Sequence, residues 1–178
     1  MSGIKIPPVN LRSSFRKKSD LVEGIDKRVL RTVLIYEDIA VGMRGRWFSE
    51  RLAGALDCTL DEKMWNFDVL GIREVRNASA IAGRKTDILI VSVSGHKELP
   101  GTIRAWLDLW LLPLRRKKPA LVGLFNSSPR QRVASVHSFL SSVAERGGIN
   151  FFPHEVSPQV RQKSVLTVRG VIKPITSE

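Results

Sequence analysis

From Arg31 onward, short runs of β-branched and apolar residues alternate with stretches whose apolar residues recur every three to four positions. This alternation is typical of a parallel sheet whose two faces are both covered by helices. The runs predicted as strands are Thr32–Tyr36, Glu62–Phe67, Asp87–Val93, Ala120–Phe125 and Ile149–Phe152. Because crossovers between parallel strands are right-handed, we expect a doubly wound three-layer α/β domain with strand order 2-1-3-4-5.

Four amphipathic stretches are predicted as the connecting helices. They cover Arg44–Leu56, Ile72–Arg84, the segment that starts at Pro100, and Arg132–Arg146. The residues expected to face inward from the first helix are Trp47, Phe48, Leu52, Ala55 and Leu56, and those from the second are Ile72, Val75, Ala78 and Ile81. In the third helix Trp106 and Trp110 lie four residues apart, which is the spacing of core residues. An alternative role for these two side chains is packing against a second copy in a homodimer.

The chain has 178 residues, which fits one domain between two tails. We expect a basic tail over residues 1–30, the α/β domain over 31–158 and an extension over 159–178. Cys58 is the only cysteine, which excludes an internal disulfide and a cysteine metal cage and fits the cytoplasm. No apolar run reaches the roughly 18 residues of a membrane span, so no membrane association is expected.

Ligands of open α/β sheets bind outside the carboxyl ends of the strands, where the strand order reverses. In this sequence that rule selects the predicted loops 37–43, 94–99 and 126–130. The candidate cofactor-binding residues in or beside these loops are Gly42, Arg44, Arg46, Ser94, Gly95, His96, Asn126, Ser127 and Ser128. Their polar and cationic character favours an anionic small molecule with a phosphate group. No metal site is predicted.

The stretch Ser92–Leu109 resembles the corresponding loop and helix of the NAD(P)H-dependent FMN reductases, which are flavodoxin-like proteins. The pairs that match are Pro100-Gly101, Ile103-Arg104 and Leu107-Asp108, and Lys118-Pro119, Asn126-Ser127-Ser128 and Arg146-Gly147-Gly148 also resemble the family's layout. The resemblance runs from about Thr32 to Pro158. It implies a flavodoxin-like fold, and FMN bound with its phosphate near 42–46 and its ring between 95–96 and 126–127. No catalytic residue beyond the flavin is predicted.

The sequence departs from that family where the cofactor would make contact. The family's Gly-Ser-x-Arg phosphate loop corresponds to Val41-Gly42-Met43-Arg44, which keeps the arginine and loses the serine. Trp47 stands where a second serine would be, and Gly95 stands at the tyrosine position beside the flavin. The phosphate loop therefore lacks its hydroxyls, and the flavin ring lacks one stacking surface.

Two other functions stay open. The first is a cofactor-free regulatory or interaction module resembling a pseudo-receiver, because Glu37-Asp38 resembles a receiver's acidic pair and Ser127 its hydroxyl residue. Ser92 and Ser94 occupy the region of the receiver's phosphorylated aspartate, so phosphoryl acceptance is not expected. The second is nucleic-acid binding through the basic tail. It has only the net charge of +12 in its favour and no recognition motif, so the sequence disfavours it.

Overall fold

A parallel five-stranded sheet forms the centre of the protein. The computed structural model describes residues 28–94, 98–112, 118–126 and 130–156. The strands are β1 (Val29–Tyr36), β2 (Thr59–Asn66), β3 (Ile88–Val93), β4 (Ala120–Asn126) and β5 (Phe151–Val156), in the order β2-β1-β3-β4-β5. Every neighbouring pair is parallel. The predicted strand order and flavodoxin-like fold are therefore confirmed.

Among the described residues, four helices of ten residues or more connect the strands. They are α1 (Ile39–Ala55), α2 (Arg73–Ala82), α3 (Gly101–Leu111) and α4 (Arg130–Gly147). A single helical turn, Phe67–Leu70, lies between β2 and α2, and a 3-10 turn, Gly83–Lys85, follows α2. None of the helices in the described ranges has the length and apolar character needed to span a membrane. The predicted tail up to residue 27 and the predicted extension 159–178 lie outside the described residues.

The larger of two hydrophobic clusters lies between the sheet and helices α2, α3 and α4. Its largest members are Trp106 and Trp110 of α3, whose side chains are fully buried. The indole of Trp106 donates to Ser79 Oγ at 2.8 Å, and that of Trp110 donates to the Gly83 carbonyl at 3.2 Å. The two tryptophans are thus core residues, as their spacing predicts, and neither side chain is exposed.

The buried side of α1 is not the predicted one. Trp47 is 41% exposed and Leu56 is 53% exposed. The side chains that α1 buries are mostly small: Val41, Gly42, Gly45, Ser49 and Ala53. The helix lies so close to the sheet that a Cβ on Gly45 would come within 2.5 Å of Leu34. Small residues therefore face the sheet, and the larger side chains point sideways or outward.

The buried side of α2 also differs from the prediction. Ile72 is the residue before the helix, and both Ile72 and Ile81 are more than half exposed. Ser79 and Ala80 are buried instead. The reason is the neighbouring helix, because the indole N–H of Trp106 requires an acceptor and the Ser79 hydroxyl supplies it. A polar residue therefore lies on the buried side of α2, one position away from Ala78, which the apolar spacing predicts to be buried.

Candidate functional site

The connection from β1 to α1 is only two residues long. Helix α1 begins at Ile39, and its N-cap is Asp38, whose Oδ1 accepts a hydrogen bond from the Val41 N–H at 3.0 Å. The prediction that the loop extends to Met43 is therefore wrong, because the loop ends at Asp38. As an acidic N-cap, Asp38 starts the helix earlier than the apolar spacing indicates. Gly42 consequently lies within the helix, where Arg44 and Arg46 are already predicted to be.

The amino-terminal end of α1 carries negative charge of its own. A helix N-terminus attracts anions because its first N–H groups are unpaired and its dipole is positive there. Here the Asp38 carboxylate accepts from one of these groups, and Glu37 directly precedes it. A phosphate at this position would meet two carboxylates.

Arg44 lies in the second turn of α1 and reaches across the carboxyl ends of β3 and β4. Its Nη2 donates to the Val93 carbonyl at 2.8 Å, to Ser92 Oγ at 3.1 Å and to the Leu124 carbonyl at 3.2 Å. Its Nη1 donates to Asn126 Oδ1. One guanidinium therefore joins two adjacent strands at the edge where a ligand was predicted.

Two opposing influences act on the Arg44 guanidinium. Burial lowers its pKa, while the carboxylates of Asp38 and Glu37 raise it. Its Nε is buried and has no hydrogen-bond partner among the described residues. Arg44 thus keeps one N–H group that the described part of the chain does not use.

The Glu37 carboxylate is bound to the end of β3. Its Oε2 accepts from the Ser94 N–H at 2.9 Å and from the Ser94 hydroxyl at 2.6 Å. The Glu37 carbonyl accepts from Asn66 Nδ2 at 3.3 Å, which adds the end of β2. The fully buried Ser92 hydroxyl donates to the Val41 carbonyl at 2.7 Å. These polar side chains therefore bind one another across the edge formed by β2, β1 and β3.

The structure brings Arg44, Ser94 and Asn126 to this one edge, as the three-loop prediction requires. Gly42 packs instead against the Tyr36 ring, from which a Cβ would lie only 2.7 Å away. Arg46 points elsewhere and pairs with Glu50 at 3.0 Å, with both side chains more than half exposed.

Four of the predicted site residues, Gly95, His96, Ser127 and Ser128, lie outside the described residues. The cofactor-binding roles of all nine candidates stay predictions. Within the described ranges, no group of three or more His, Cys, Asp or Glu side chains is arranged to hold a metal ion.

Sequence reasoning missed the contacts of Glu37 with Ser94 and of Ser92 with the Val41 carbonyl. One signal was present in the sequence. An aspartate three residues before Val41 is the pattern of a helix N-cap, and it would have placed the start of α1 at Ile39. The side-chain contacts themselves depend on how close α1 lies to the sheet.

No known protein-family description matches the chain, and no curated protein matches it. Among solved structures, the chain is similar to the Trp repressor binding protein from Bacillus subtilis, with 11% identity over 82% of this chain and 99% of that one, at a TM-score of 0.46. It is also similar to the general stress protein 14 from Treponema denticola in complex with FMN, with 14% identity over 80% of this chain and 94% of that one, at a TM-score of 0.45. The assignment of the fold rests on the strand order and the parallel pairing.

Proposed function

We propose that the protein is a cofactor-free interaction module on a flavodoxin-like scaffold, arranged like a pseudo-receiver. The observation that carries the proposal is the Arg44 guanidinium, which donates to four acceptors on β3 and β4. A cation supplied by the chain itself thus lies beside the acidic pair Glu37-Asp38. The edge is held together by the protein's own side chains.

The energetics of ligand entry support the same proposal. A ligand that displaced Arg44 would leave the Val93 and Leu124 carbonyls without this donor, and each buried polar group left unpaired costs about 1–3 kcal/mol. A phosphate at the start of α1 would also have to displace the Asp38 cap and approach Glu37. The contacts that a ligand makes would have to offset these costs before the protein shows measurable affinity for it.

A second candidate function is that of an FMN-binding, NAD(P)H-dependent reductase. The observation that favours it is the buried Nε of Arg44, which has no acceptor among the described residues. Phosphate oxygens are strong acceptors for guanidinium N–H groups. In that case FMN would supply the hydride chemistry, and Arg44, Ser94 and Asn126 would hold and orient it.

Titration of FMN into the full-length protein, followed by flavin fluorescence, distinguishes the two functions. Wild type, Arg44→Ala and Arg46→Ala are compared, and Arg46 is the matched control because it lies on the same helix and is exposed. The interaction module predicts no quenching at high micromolar FMN in any of the three. Quenching in wild type and Arg46→Ala that is lost in Arg44→Ala, with circular dichroism unchanged, would replace this proposal with the reductase.

A further inference from the structure

One face of the sheet is only partly covered by helix. Parallel sheets are normally covered on both faces. Within the described ranges, α2, α3 and α4 pack on one face, and the smaller cluster on the other face has only α1 against it. Five strands at about 4.8 Å spacing are roughly 20 Å wide, whereas one helix covers about 10 Å. Part of the α1 side of the sheet therefore has no helix over it in the described part of the chain.

The open part lies over β5, because Val122 and Leu124 of β4, which face this side, are buried. Phe152 and His154 of β5 pair with Val122 and Leu124, which belong to the cluster on the α1 side. Phe152 is 53% exposed, and the exposed His154 contacts the Phe48 ring of α1 at 5.6 Å between centroids. Two aromatic rings of this strand are thus exposed, and that of His154 lies next to α1.

The side of α1 that carries Phe48 adjoins this surface through the contact of Phe48 with His154. Arg51 lies three residues after Phe48, so the two share one side of the helix. The Arg51 guanidinium stacks over the Trp47 ring at 4.7 Å, and Trp47 is 41% exposed. We call the surface formed by Trp47, Arg51, Phe152 and His154 the β5 face. Exposed aromatic surface of this kind is typical of a site that another segment or partner covers.

We propose that the β5 face is covered by the chain's own carboxyl-terminal segment, residues 157–178. The segment starts where β5 ends, at Val156, and its 22 residues would reach about 70 Å if extended. The strand that it has to run back along is only about 20 Å long. Its apolar residues, which would meet the aromatic surface, are Val160, Val165, Leu166, Val168, Val171, Ile172 and Ile175.

Two physical arguments favour this segment over a second copy of the chain. A segment joined directly to β5 has an effective concentration near its target in the millimolar range, which a separate molecule seldom reaches. A net charge of +12 also makes two copies repel each other. The segment carries only one acidic residue, Glu178, so apolar contact rather than ion pairing with Arg51 drives the association.

Acrylamide quenching of tryptophan fluorescence tests this proposal, because the four tryptophans differ in exposure. Trp106 and Trp110 are fully buried and Trp65 is half-buried, so Trp47 is the one that covering of the β5 face would protect. The full-length protein is compared with a chain that ends at Val156 and with the full-length double variant Val171→Asp/Ile172→Asp.

Both altered chains are expected to show a higher quenching constant than wild type, with unchanged circular dichroism. The increase is expected to vanish when Trp47→Phe is added to the double variant. If the truncated chain fails to fold, the double variant still decides the matter. Equal quenching in wild type and the double variant would overturn the proposal. Protection of Trp47 that depends on protein concentration, or only on added single-stranded oligonucleotide, would also overturn it in favour of a second copy or a nucleic acid.

Discussion

The Arg44 guanidinium donates a 2.8 Å hydrogen bond to the backbone carbonyl of Val93, and so a residue of α1 closes the end of β3. The last carbonyls of parallel strands have no partner beyond the ladder, and buried carbonyls require a donor. In many open α/β sheets a ligand binds near this edge. Here the chain itself supplies the donor. Two further contacts hold the same edge, namely the Asp38 cap of α1 and the hydrogen bond from the Ser94 hydroxyl to the Glu37 carboxylate.

Replacing Arg44 by alanine is expected to destabilise the fold. The side chain donates to four acceptors on two strands, and hydrogen bonds that involve a charged group contribute about 1.5–3 kcal/mol. The free energy of unfolding in urea should fall by that amount. Arg46→Ala is the control, because an exposed helical ion pair is worth about 0.5 kcal/mol or less. Equal losses in the two variants would show that the contacts of Arg44 do not stabilise the fold.

Gly45→Ala tests how closely α1 approaches the sheet. The added methyl group would lie 2.5 Å from Leu34 Cδ1, and the Leu34 side chain is fully buried, so it could turn aside only by displacing other core atoms. Overpacking of this kind costs about 1–3 kcal/mol, which exceeds the gain of about 1 kcal/mol in helix propensity. A methyl group added at Gly54 of the same helix would meet no atom within 4 Å, so Gly54→Ala should raise the thermal midpoint. If Gly45→Ala and Gly54→Ala shifted the thermal midpoint in the same direction, the close packing of α1 on the sheet at Gly45 would be contradicted.

Ser79→Ala tests the polar contact inside the core. The indole N–H of the buried Trp106 would lose its acceptor, at a cost of about 1–3 kcal/mol in the free energy of unfolding. Ser142→Ala is the comparison, because that hydroxyl donates to the Phe139 carbonyl of its own helix on a half-buried side and leaves no donor unpaired. Urea denaturation of both variants measures the difference. Similar stabilities of the two variants would mean that the hydrogen bond from the Trp106 indole to the Ser79 hydroxyl does not stabilise the fold.

Glu62 gives the fold a pH dependence. Burial raises the pKa of its carboxyl above the ordinary value of 4.5, and hydrogen bonds from Ser49 and Thr32 offset only part of that. Because the folded state binds this proton more tightly than the unfolded state, the contribution to stability is complete below pH 4.5 and is lost as the pH rises through the raised value.

Glu62→Gln cannot ionise and should lose less stability over this pH range than wild type. Urea midpoints at a series of pH values measure the effect. Glu145→Gln is the control, because that side chain is exposed and lies on α4, on the opposite face of the sheet from Ser49 of α1. If Glu62→Gln showed the same dependence of stability on pH as wild type, Glu62 would not be the cause of that dependence.

Strands β1, β3 and β4 and helix α3 could be predicted because their buried residues are mostly large and apolar. The predicted bounds of β2 and β5 were wrong, since β2 is Thr59–Asn66 and β5 is Phe151–Val156, and neither strand has a fully buried residue that would mark its limits. Strand β3 is buried along nearly its whole length, and α3 buries Trp106 and Trp110 at the predicted spacing. The buried sides of α1 and α2 could not be predicted in this way. Apolar spacing assumes that large residues face inward, whereas α1 approaches the sheet through Gly42 and Gly45.

The candidate site could be predicted in position but not in its contacts. The rule for open sheets brought Arg44, Ser94 and Asn126 to one edge. It grouped Arg46 with them, although residues two apart on a helix point in different directions, as the exposed pair of Arg46 with Glu50 shows. The polar groups at the edge can face either a ligand or one another. Which of the two occurs depends on distances of a few ångström between elements, and these distances cannot be predicted from residue types and their spacing.

The coupling free energy between Arg44 and Asn126 tests the central claim most directly. It is obtained by urea denaturation of wild type, Arg44→Ala, Asn126→Ala and the double variant in the absence of ligand. An edge closed by the protein's own side chains predicts a favourable coupling of about 1–3 kcal/mol, unchanged by added FMN. A coupling near zero without ligand, or an FMN-dependent gain in stability that is lost in Arg44→Ala, would contradict it.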